Sequence, residues 1–309
     1  MNLTSTRVAI QRCRRYERAA IKACIDAIFQ ALPFHVARGA AVLLKPNLVA
    51  GIGHGGLACS HPEFVAAVAE WFLDHGVRVG VGDSPAFGRA PAVMAACGMA
   101  ESLRGLPVRQ RHFREAKTVM LASGLRIGIS RDALECDCLV NLPKVKAHSQ
   151  TLVSLAVKNC FGTVKGLRKA LLHQQLGDDD RRFAGMLVDL LAVLPDGISV
   201  CDGIEAMDGS GPMDGVPYSL GVIAGSTNPV ALDTALLTIL GVEPEKSMVW
   251  RETRRQNLNG WRLSDLVFPL LRPEEVTVED FRVPDTLKPI IFQPRQILRS
   301  LLRRLGSQW

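Results

Sequence analysis

The sequence lacks the features that define several protein classes. No stretch reaches the roughly 18 uninterrupted apolar residues that a membrane-spanning helix needs, which argues against an integral membrane protein. Charged residues make up 22% and hydrophobic residues 48% of the chain, so an intrinsically disordered protein is excluded. Its 309 residues fit one large α/β domain or two smaller ones.

Closely spaced cysteines are also missing. The eight cysteines are scattered and no Cys-x-x-Cys pair occurs, so we expect no iron-sulfur cluster in this chain. Neither the dense cysteine framework of a small secreted domain nor an export-type apolar segment after Arg14 and Arg15 is present. These absences predict a cytoplasmic protein with reduced thiols.

Aromatic residues are scarce, and positive charge is confined to the ends of the chain. The net charge is +7, of which residues 1–25 carry +5 and residues 288–309 carry +5, leaving −3 for the middle. With only 6% aromatic residues to stack on bases, we expect no nucleic-acid binding. The basic termini instead suggest docking to a protein partner or to a second copy of the chain.

Short apolar strands alternate with amphipathic helical patterns along most of the chain. This order predicts an α/β fold with a mostly parallel sheet and helices on both faces. Strands are predicted at 41–49, 77–85, 134–148, 198 onward and 218–226, and helices from Ser60 to about His75 and at 90–104, 151–162, 180–195 and 229–241.

The last part of the chain is predicted to be a helical extension. We divide the sequence into an α/β domain at 1–242 and an extension at 243–309, in which residues 294–305 carry a leucine-rich stripe beside arginines. Such a helix suits packing on the protein's own core, a partner or, less favoured, the surface of a membrane.

Two polar loops follow predicted strands at the edge where α/β sheets bind ligands. Lys45 and Asn47 end the first strand, and Asp83 and Ser84 follow the second. A lysine at an apolar strand end should face an anion or a carboxylate, and Asp83 is either a metal or hydroxyl ligand or a plain helix cap.

The richest cluster lies between residues 144 and 159. In an extended chain Lys144, Lys146 and His148 point to one side, and the following helix adds Lys158 and Asn159. Crowded cations lower one another's pKa, which suits a lysine for proton transfer or for Schiff-base chemistry. A surface basic patch is the alternative, but apolar runs frame this cluster.

Several carboxylates occur on a glycine-rich loop. Asp202 and Asp208, together with Asp83, are candidate ligands of a divalent metal. Their spacing does not match an EF-hand, and turn-forming Asp-Gly pairs explain much of the composition without a metal.

Taken together, these motifs resemble the family called domain of unknown function 362. The segments that carry the resemblance are LLKPNLV at 43–49, HPE at 61–63, GDSP at 82–85, NLPKVKAHSQTLVSLAVKNCFG at 141–162, CDGIEAMDGSGP at 201–212 and STNPVALD at 226–233. Relatives often carry a cysteine-rich iron-sulfur module, but this chain has no cysteine after Cys201. The redox role that such relatives imply is therefore in doubt here.

We expect an enzyme that acts on a small anionic carboxylate or phosphate compound. Lys144, Lys146, His148 and Lys158 are the predicted catalytic residues, and Lys45, Asn47, Ser84 and Asn159 are predicted to bind the substrate. The alternative is a non-catalytic accessory protein for iron-sulfur or electron-transfer partners. Racemase or lyase chemistry with an organometallic cofactor on a lysine is a more distant alternative.

Overall fold

The alternation of strands and helices folds into an α/β architecture with a central, mostly parallel sheet and helices on both of its faces. The structure is a computed structural model and describes residues 6–50, 57–85, 88–166, 172, 176, 180–211 and 214–288. The strands are β1 (Thr6–Arg7), β2 (Ala9–Arg12), β3 (Ala41–Pro46), β4 (Arg78–Gly82), β5 (Arg109–Arg111), β6 (Ala116–Met120), β7 (Arg126–Ser130), β8 (Cys138–Leu142), β9 (Lys144–His148), β10 (Leu152–Ser154), β11 (Gly197–Asp208), β12 (Val216–Tyr218), β13 (Val222–Ser226) and β14 (Leu266–Val267). The helices are α1 (Arg18–Ala31), α2 (Pro62–Asp74), α3 (Ala90–Ala96), α4 (Met99–Ser102), α5 (Arg131–Leu134), α6 (Ala156–Asn159), α7 (Asp180–Asp189), α8 (Pro229–Ile239) and α9 (Met248–Arg255).

The central sheet runs in the order β10-β9-β11-β8-β3-β4-β5. The pairs β3–β4, β3–β8, β4–β5, β8–β11 and β9–β11 are parallel. β10 is antiparallel to β9, while β13 lies antiparallel to both β11 and β2. Because the parallel strands share one direction, the ends of β3, β4 and β8 meet at one edge of the sheet.

Alternate residues of β3 pack on opposite faces of the sheet. Val42 and Leu44 join the core beneath α1 and α2, whereas Leu43 joins the core that contains Phe183 and Leu187 of α7. A strand that is buried on both faces explains why the sequence at β3 is a continuous apolar run rather than an alternating one.

The helix α2 begins at Pro62, two residues after Ser60, where the sequence pattern predicted its start. His61 is the N-cap, and its Nδ1 accepts the Glu63 amide at 3.2 Å. The Ser60 hydroxyl instead accepts the Asn47 amide at 2.8 Å and donates to the Leu142 carbonyl at 2.6 Å. Ser60 therefore fastens two strand ends together.

The single helix predicted at 151–162 is wrong in its first half. Leu152 has a φ of 69°, which turns the chain so that β10 can pair antiparallel with β9. The helix begins only at Ala156, where the Asp233 carboxylate accepts the amides of Ala156 at 2.7 Å and Val157 at 3.2 Å. Because this cap comes from a distant helix, the sequence around Ala156 does not predict where the helix begins.

The residues after 242 pack closely on the rest of the protein. Trp250, Val276 and Phe281 share a core with the α8 residues Leu232 and Leu236. The helix predicted at 294–305 lies outside the described residues. Among the described residues, none of the helices has the length and hydrophobicity of a membrane span.

Candidate functional site

The lysines predicted to act together are buried near the edge where β3, β4 and β8 end. Lys144, Lys146 and His148 all lie on β9 and are all buried. The intervening Val145 and Ala147 belong to the core that contains α8. The extended conformation on which the sequence argument depended is therefore present, and the three polar side chains share the other face of the strand.

Lys45 is neutralised by Asp83. Its Nζ lies 3.0 Å from Asp83 Oδ1, forming an ion pair without an aligned hydrogen bond, and it donates to the Pro46 carbonyl at 2.9 Å. The other carboxylate oxygen of Asp83 accepts the Leu48 amide at 2.8 Å. Both side chains are almost completely buried, so each is the main compensation for the other's charge.

Lys144 is neutralised by Asp202 with help from Tyr16. The Lys144 Nζ lies 3.1 Å from Asp202 Oδ2 and donates to the Tyr16 hydroxyl at 2.7 Å. The Tyr16 hydroxyl donates to Asp202 Oδ1 at 2.8 Å, and the His61 amide donates to Oδ2 at 2.8 Å. Burial, followed by the charge of Asp202, raises the pKa of Tyr16, so the phenol keeps its proton.

Lys146 has no carboxylate partner in the ranges that the structure describes. Its Nζ donates to Asn47 Oδ1 at 3.0 Å and to the Ala58 carbonyl at 2.7 Å. Two neutral oxygens solvate the ammonium group without cancelling its charge. Asn47, predicted as a substrate ligand, thus positions Lys146.

Lys158 is the second lysine of this cluster that has no ion pair among the described residues. Its ammonium group lies 5.6 Å from the centre of the Phe161 ring, and the side chain is only partly exposed. Burial, and then the charges of Lys146 and Lys45, lower the pKa of Lys158 to about 7. Burial lowers the pKa of Lys146 to about 8. Both lysines therefore exchange protons near neutral pH.

The histidine and the asparagine of this cluster have defined hydrogen bonds. His148 Nδ1 accepts the amides of Gln150 at 3.1 Å and Thr151 at 3.3 Å, which assigns the ring proton of the neutral form to Nε2. Asn159 Nδ2 donates to Asn141 Oδ1 at 2.8 Å and lies 3.4 Å from the Lys45 carbonyl.

Ser84 joins the loops around the Lys45–Asp83 pair. Its amide donates to the Gly162 carbonyl at 3.1 Å, and its hydroxyl accepts the Gly166 amide at 3.0 Å. The loop after β4 is thereby fixed against the segment that follows α6.

The three aspartates predicted to hold a metal each contact a different cation. Asp83 pairs with Lys45, Asp202 pairs with Lys144, and Asp208 makes two hydrogen bonds with Arg282 at 2.8 and 3.0 Å. In the described part of the chain, no three His, Cys, Asp or Glu side chains are grouped as metal ligands.

Tyr16 and His61 are site residues that the sequence reasoning missed. Their rings stack with centroids 3.5 Å apart at an interplanar angle of 10°, and Tyr16 bridges Lys144 and Asp202. Tyr16 lies more than a hundred residues before Lys144 and Asp202, which it bridges. Its only signal is that tyrosine is rare, with two in the whole chain.

A family model described as Domain of unknown function (DUF362) matches residues 42–238. The chain belongs to this family. The matched DUF362 segment contains every residue predicted to bind substrate or metal or to act in catalysis, whereas Tyr16 lies before it.

The chain is also similar to individual proteins. It is 35% identical over 300 residues to the thylakoid-associated protein sll1697 of Synechocystis sp., which covers 96% of this chain and 93% of the relative. The solved lactate racemase apoprotein from Thermoanaerobacterium thermosaccharolyticum aligns at 11% identity with a TM-score of 0.45, covering 76% of this chain and 57% of that chain. A protein from Thermotoga maritima aligns at 9% identity and a TM-score of 0.46, covering 71% and 57%. The DUF362 chain thus spans little more than half of either solved chain.

Gly162 is required by the Lys45–Asp83 pair. A Cβ atom there would lie 2.0 Å from Asp83 Oδ1 and 2.5 Å from Lys45 Nζ. We predict that Gly162→Ala separates the buried charges and lowers the free energy of unfolding by about 2 to 5 kcal/mol. Urea denaturation measures this loss.

Gly185→Ala is the matched control, because a Cβ at that position in α7 meets its nearest atom only at 3.4 Å. Its stability should stay within about 1 kcal/mol of the parent, with a helix-propensity gain in its favour. Equal stability of the Gly162→Ala and Gly185→Ala proteins would contradict the conclusion that the Lys45–Asp83 pair requires glycine at position 162.

Proposed function

We propose that this protein is an enzyme that binds a small anionic substrate, a carboxylate or a phosphate compound, against Lys146 and Lys158 and moves a proton there. The observation that carries the proposal is an imbalance of charge. Four lysines gather at one end of the sheet, and in the described ranges only two carboxylates, Asp83 and Asp202, pair with them.

Of the four lysines, only Lys146 and Lys158 lack a carboxylate that balances their charge among the described residues. Lys45 and Lys144 each have a carboxylate within 3.1 Å, so neither needs a ligand for compensation. Burying an ammonium group without a counter-charge is costly, and the protein without substrate reduces that cost by partial deprotonation. An anion with two negative oxygens would reduce the same cost by supplying the missing charge.

The shifted pKa values suit the two lysines to complementary roles. Near pH 7 to 8 one amine is neutral for part of the time and accepts a proton from the substrate, while the other remains an ammonium and holds the substrate's charge. His148 would stand beside Lys146 on the same face of β9. Asn47 would hold Lys146 in place. The backbone around the site would be held by Lys45, Ser84 and Asn159.

Anion binding tests the proposal directly. We expect Lys146→Met and Lys158→Met each to weaken the binding of inorganic phosphate or malonate about tenfold or more, since a hydrogen bond to a charged group contributes roughly 1.5 to 3 kcal/mol. Isothermal titration calorimetry measures the affinity. Lys117→Met, at an exposed position on β6, should leave it unchanged.

The affinity for anions should change with pH in one direction. Lysines carry charge below their pKa values, so the affinity for anions should fall as the pH rises through the range from 7 to 8, and binding should take up protons from the buffer. An affinity equal to that of the parent in both variants, or an affinity that does not change across this range, would contradict the proposal.

A second candidate is the accessory role, in which the basic termini dock to a partner or a membrane surface. It is favoured by the relative, which is named thylakoid-associated, and by the +5 charge of residues 288–309. Electrostatic docking of this kind weakens with salt.

Deletion of residues 289–309 separates the two candidates. If the accessory role is correct, the full chain should sediment with phosphatidylglycerol vesicles at low salt, and the shortened chain should stay in solution. Binding that the deletion leaves unaltered would count against the docking role. Phosphate affinity should be the same in both chains, because the deletion removes none of the four lysines of the cluster.

A further inference from the structure

A groove lined by arginines lies on the central sheet, apart from the lysine cluster. Its volume is about 930 Å³, and its floor includes Ala41 and Leu43 of β3 and Gly80 of β4. Lys45 lies near the other end of β3, four residues after Ala41, which is about 13 Å along an extended strand. The proposed reaction uses no residue of this groove.

The alternation of valine and glycine in β4 creates the groove. Val79 and Val81 pack into the core beneath α1 and α2, so Gly80 faces the other side of the sheet. Gly80 pairs with Leu43 of β3 and with Arg109 of β5, and residues paired across strands project from the same face. Because glycine has no side chain, the sheet is hollow between Leu43 and Arg109.

Arginines outnumber the acidic residues around this hollow. Five arginines and three acidic residues line the groove, which gives it a charge of +2. Arg131 pairs with Glu115 and Glu135, each at 2.9 Å. The side chain of Arg111 leans over Gly80 and lies 3.6 Å from Asp132. These contacts use all three acidic residues.

The other three arginines of the groove are exposed, and within the described ranges no carboxylate pairs with them. They are Arg78, Arg109 and Arg114. Arg78 donates from Nε to the Gly39 carbonyl at 3.0 Å, which leaves its two terminal nitrogens for a ligand. Charged residues on an edge strand such as β5 also prevent pairing with another sheet. That role does not explain Arg78, which lies on the interior strand β4, or Arg114, which follows β5.

We propose that this groove binds a polyphosphate chain, either inorganic or part of a nucleotide. A planar guanidinium group donates two parallel hydrogen bonds to the oxygens of a phosphate. Three such groups on different segments call for a ligand with several linked anionic groups, which a single carboxylate does not provide. The volume falls within the range of roughly 300 to 1,000 Å³ that is typical of small-molecule sites.

Calorimetry with sodium tripolyphosphate tests the site. We expect the double variant Arg109→Gln, Arg114→Gln to bind tripolyphosphate about tenfold more weakly, because it loses two exposed ion pairs with the ligand. The control is the double variant Lys117→Gln, Arg126→Gln, which removes the same charge from exposed positions on β6 and β7 outside the groove. Its affinity should match that of the parent. Equal affinities of the two double variants would overturn the proposal.

Arginine modification locates the bound ligand without any variant. Phenylglyoxal modifies exposed arginines and blocks tryptic cleavage after them, so mass spectrometry of the digest follows each arginine separately. Tripolyphosphate should slow the modification of Arg109 and Arg114 several-fold and leave that of Arg126 unchanged. Modification of Arg109 and Arg114 at the same rate with and without tripolyphosphate would contradict binding in the groove.

ATP and adenosine distinguish the two sources of the phosphate chain. Tighter binding of ATP than of tripolyphosphate would identify a nucleotide as the ligand, and equal affinity would identify the phosphate chain alone. Adenosine that binds as tightly as ATP would overturn a site that recognises phosphates.

Malonate separates this site from the lysine cluster. The double variant Arg109→Gln, Arg114→Gln should bind malonate as the parent does, because it retains all four lysines of the cluster. If this variant lost affinity for malonate and tripolyphosphate alike, the two anions would share one site and the groove proposal would be wrong. A parent protein that binds no malonate, but whose tripolyphosphate binding weakens in the double variant, would contradict the proposed function and support the groove.

Discussion

The constraint on which this site depends is the burial of four ammonium groups where neighbouring strands of one sheet end. Two of them, Lys45 and Lys144, are compensated by Asp83 and Asp202. Lys146 and Lys158 have no such compensation among the described residues, and burial lowers the pKa of both. An arrangement that only stabilised the fold would gain little from uncompensated charge, because apolar side chains fill such space at lower cost.

The compensated pairs form the rigid base of the cluster. Gly162 has no side chain, and its backbone closes over the Lys45–Asp83 pair, while Tyr16 stacked on His61 fixes the Lys144–Asp202 pair from the N-terminal segment. The uncompensated lysines are held differently. Hydrogen bonds to two neutral oxygens orient the Lys146 side chain, and the buried Asp233 carboxylate caps the helix that carries Lys158. In the proposed function, Lys45 and Lys144 stabilise the fold, and Lys146 and Lys158 bind the anion.

Much of this arrangement follows from local sequence patterns. The period of two in residues 144–148 placed three polar side chains on one face, and the apolar run before Lys45 placed it at a strand end. Contacts between residues far apart in the chain could not be predicted from local patterns. Tyr16 and Arg282 are examples, since each lies far along the sequence from the aspartate that it contacts. The helix predicted from residue 151 failed because the turn at Leu152 and the cap from Asp233 depend on tertiary contacts.

Lys146 and Lys158 are expected to titrate near neutral pH. Carbon-13 labelling of the lysine ε-carbons, followed by NMR spectra from acid to alkaline pH, reports each ammonium group separately. We expect two resonances with midpoints of about 7 and about 8, the first missing from Lys158→Met and the second from Lys146→Met. Lysine resonances that all titrate near the ordinary value of about 10.4 would contradict it.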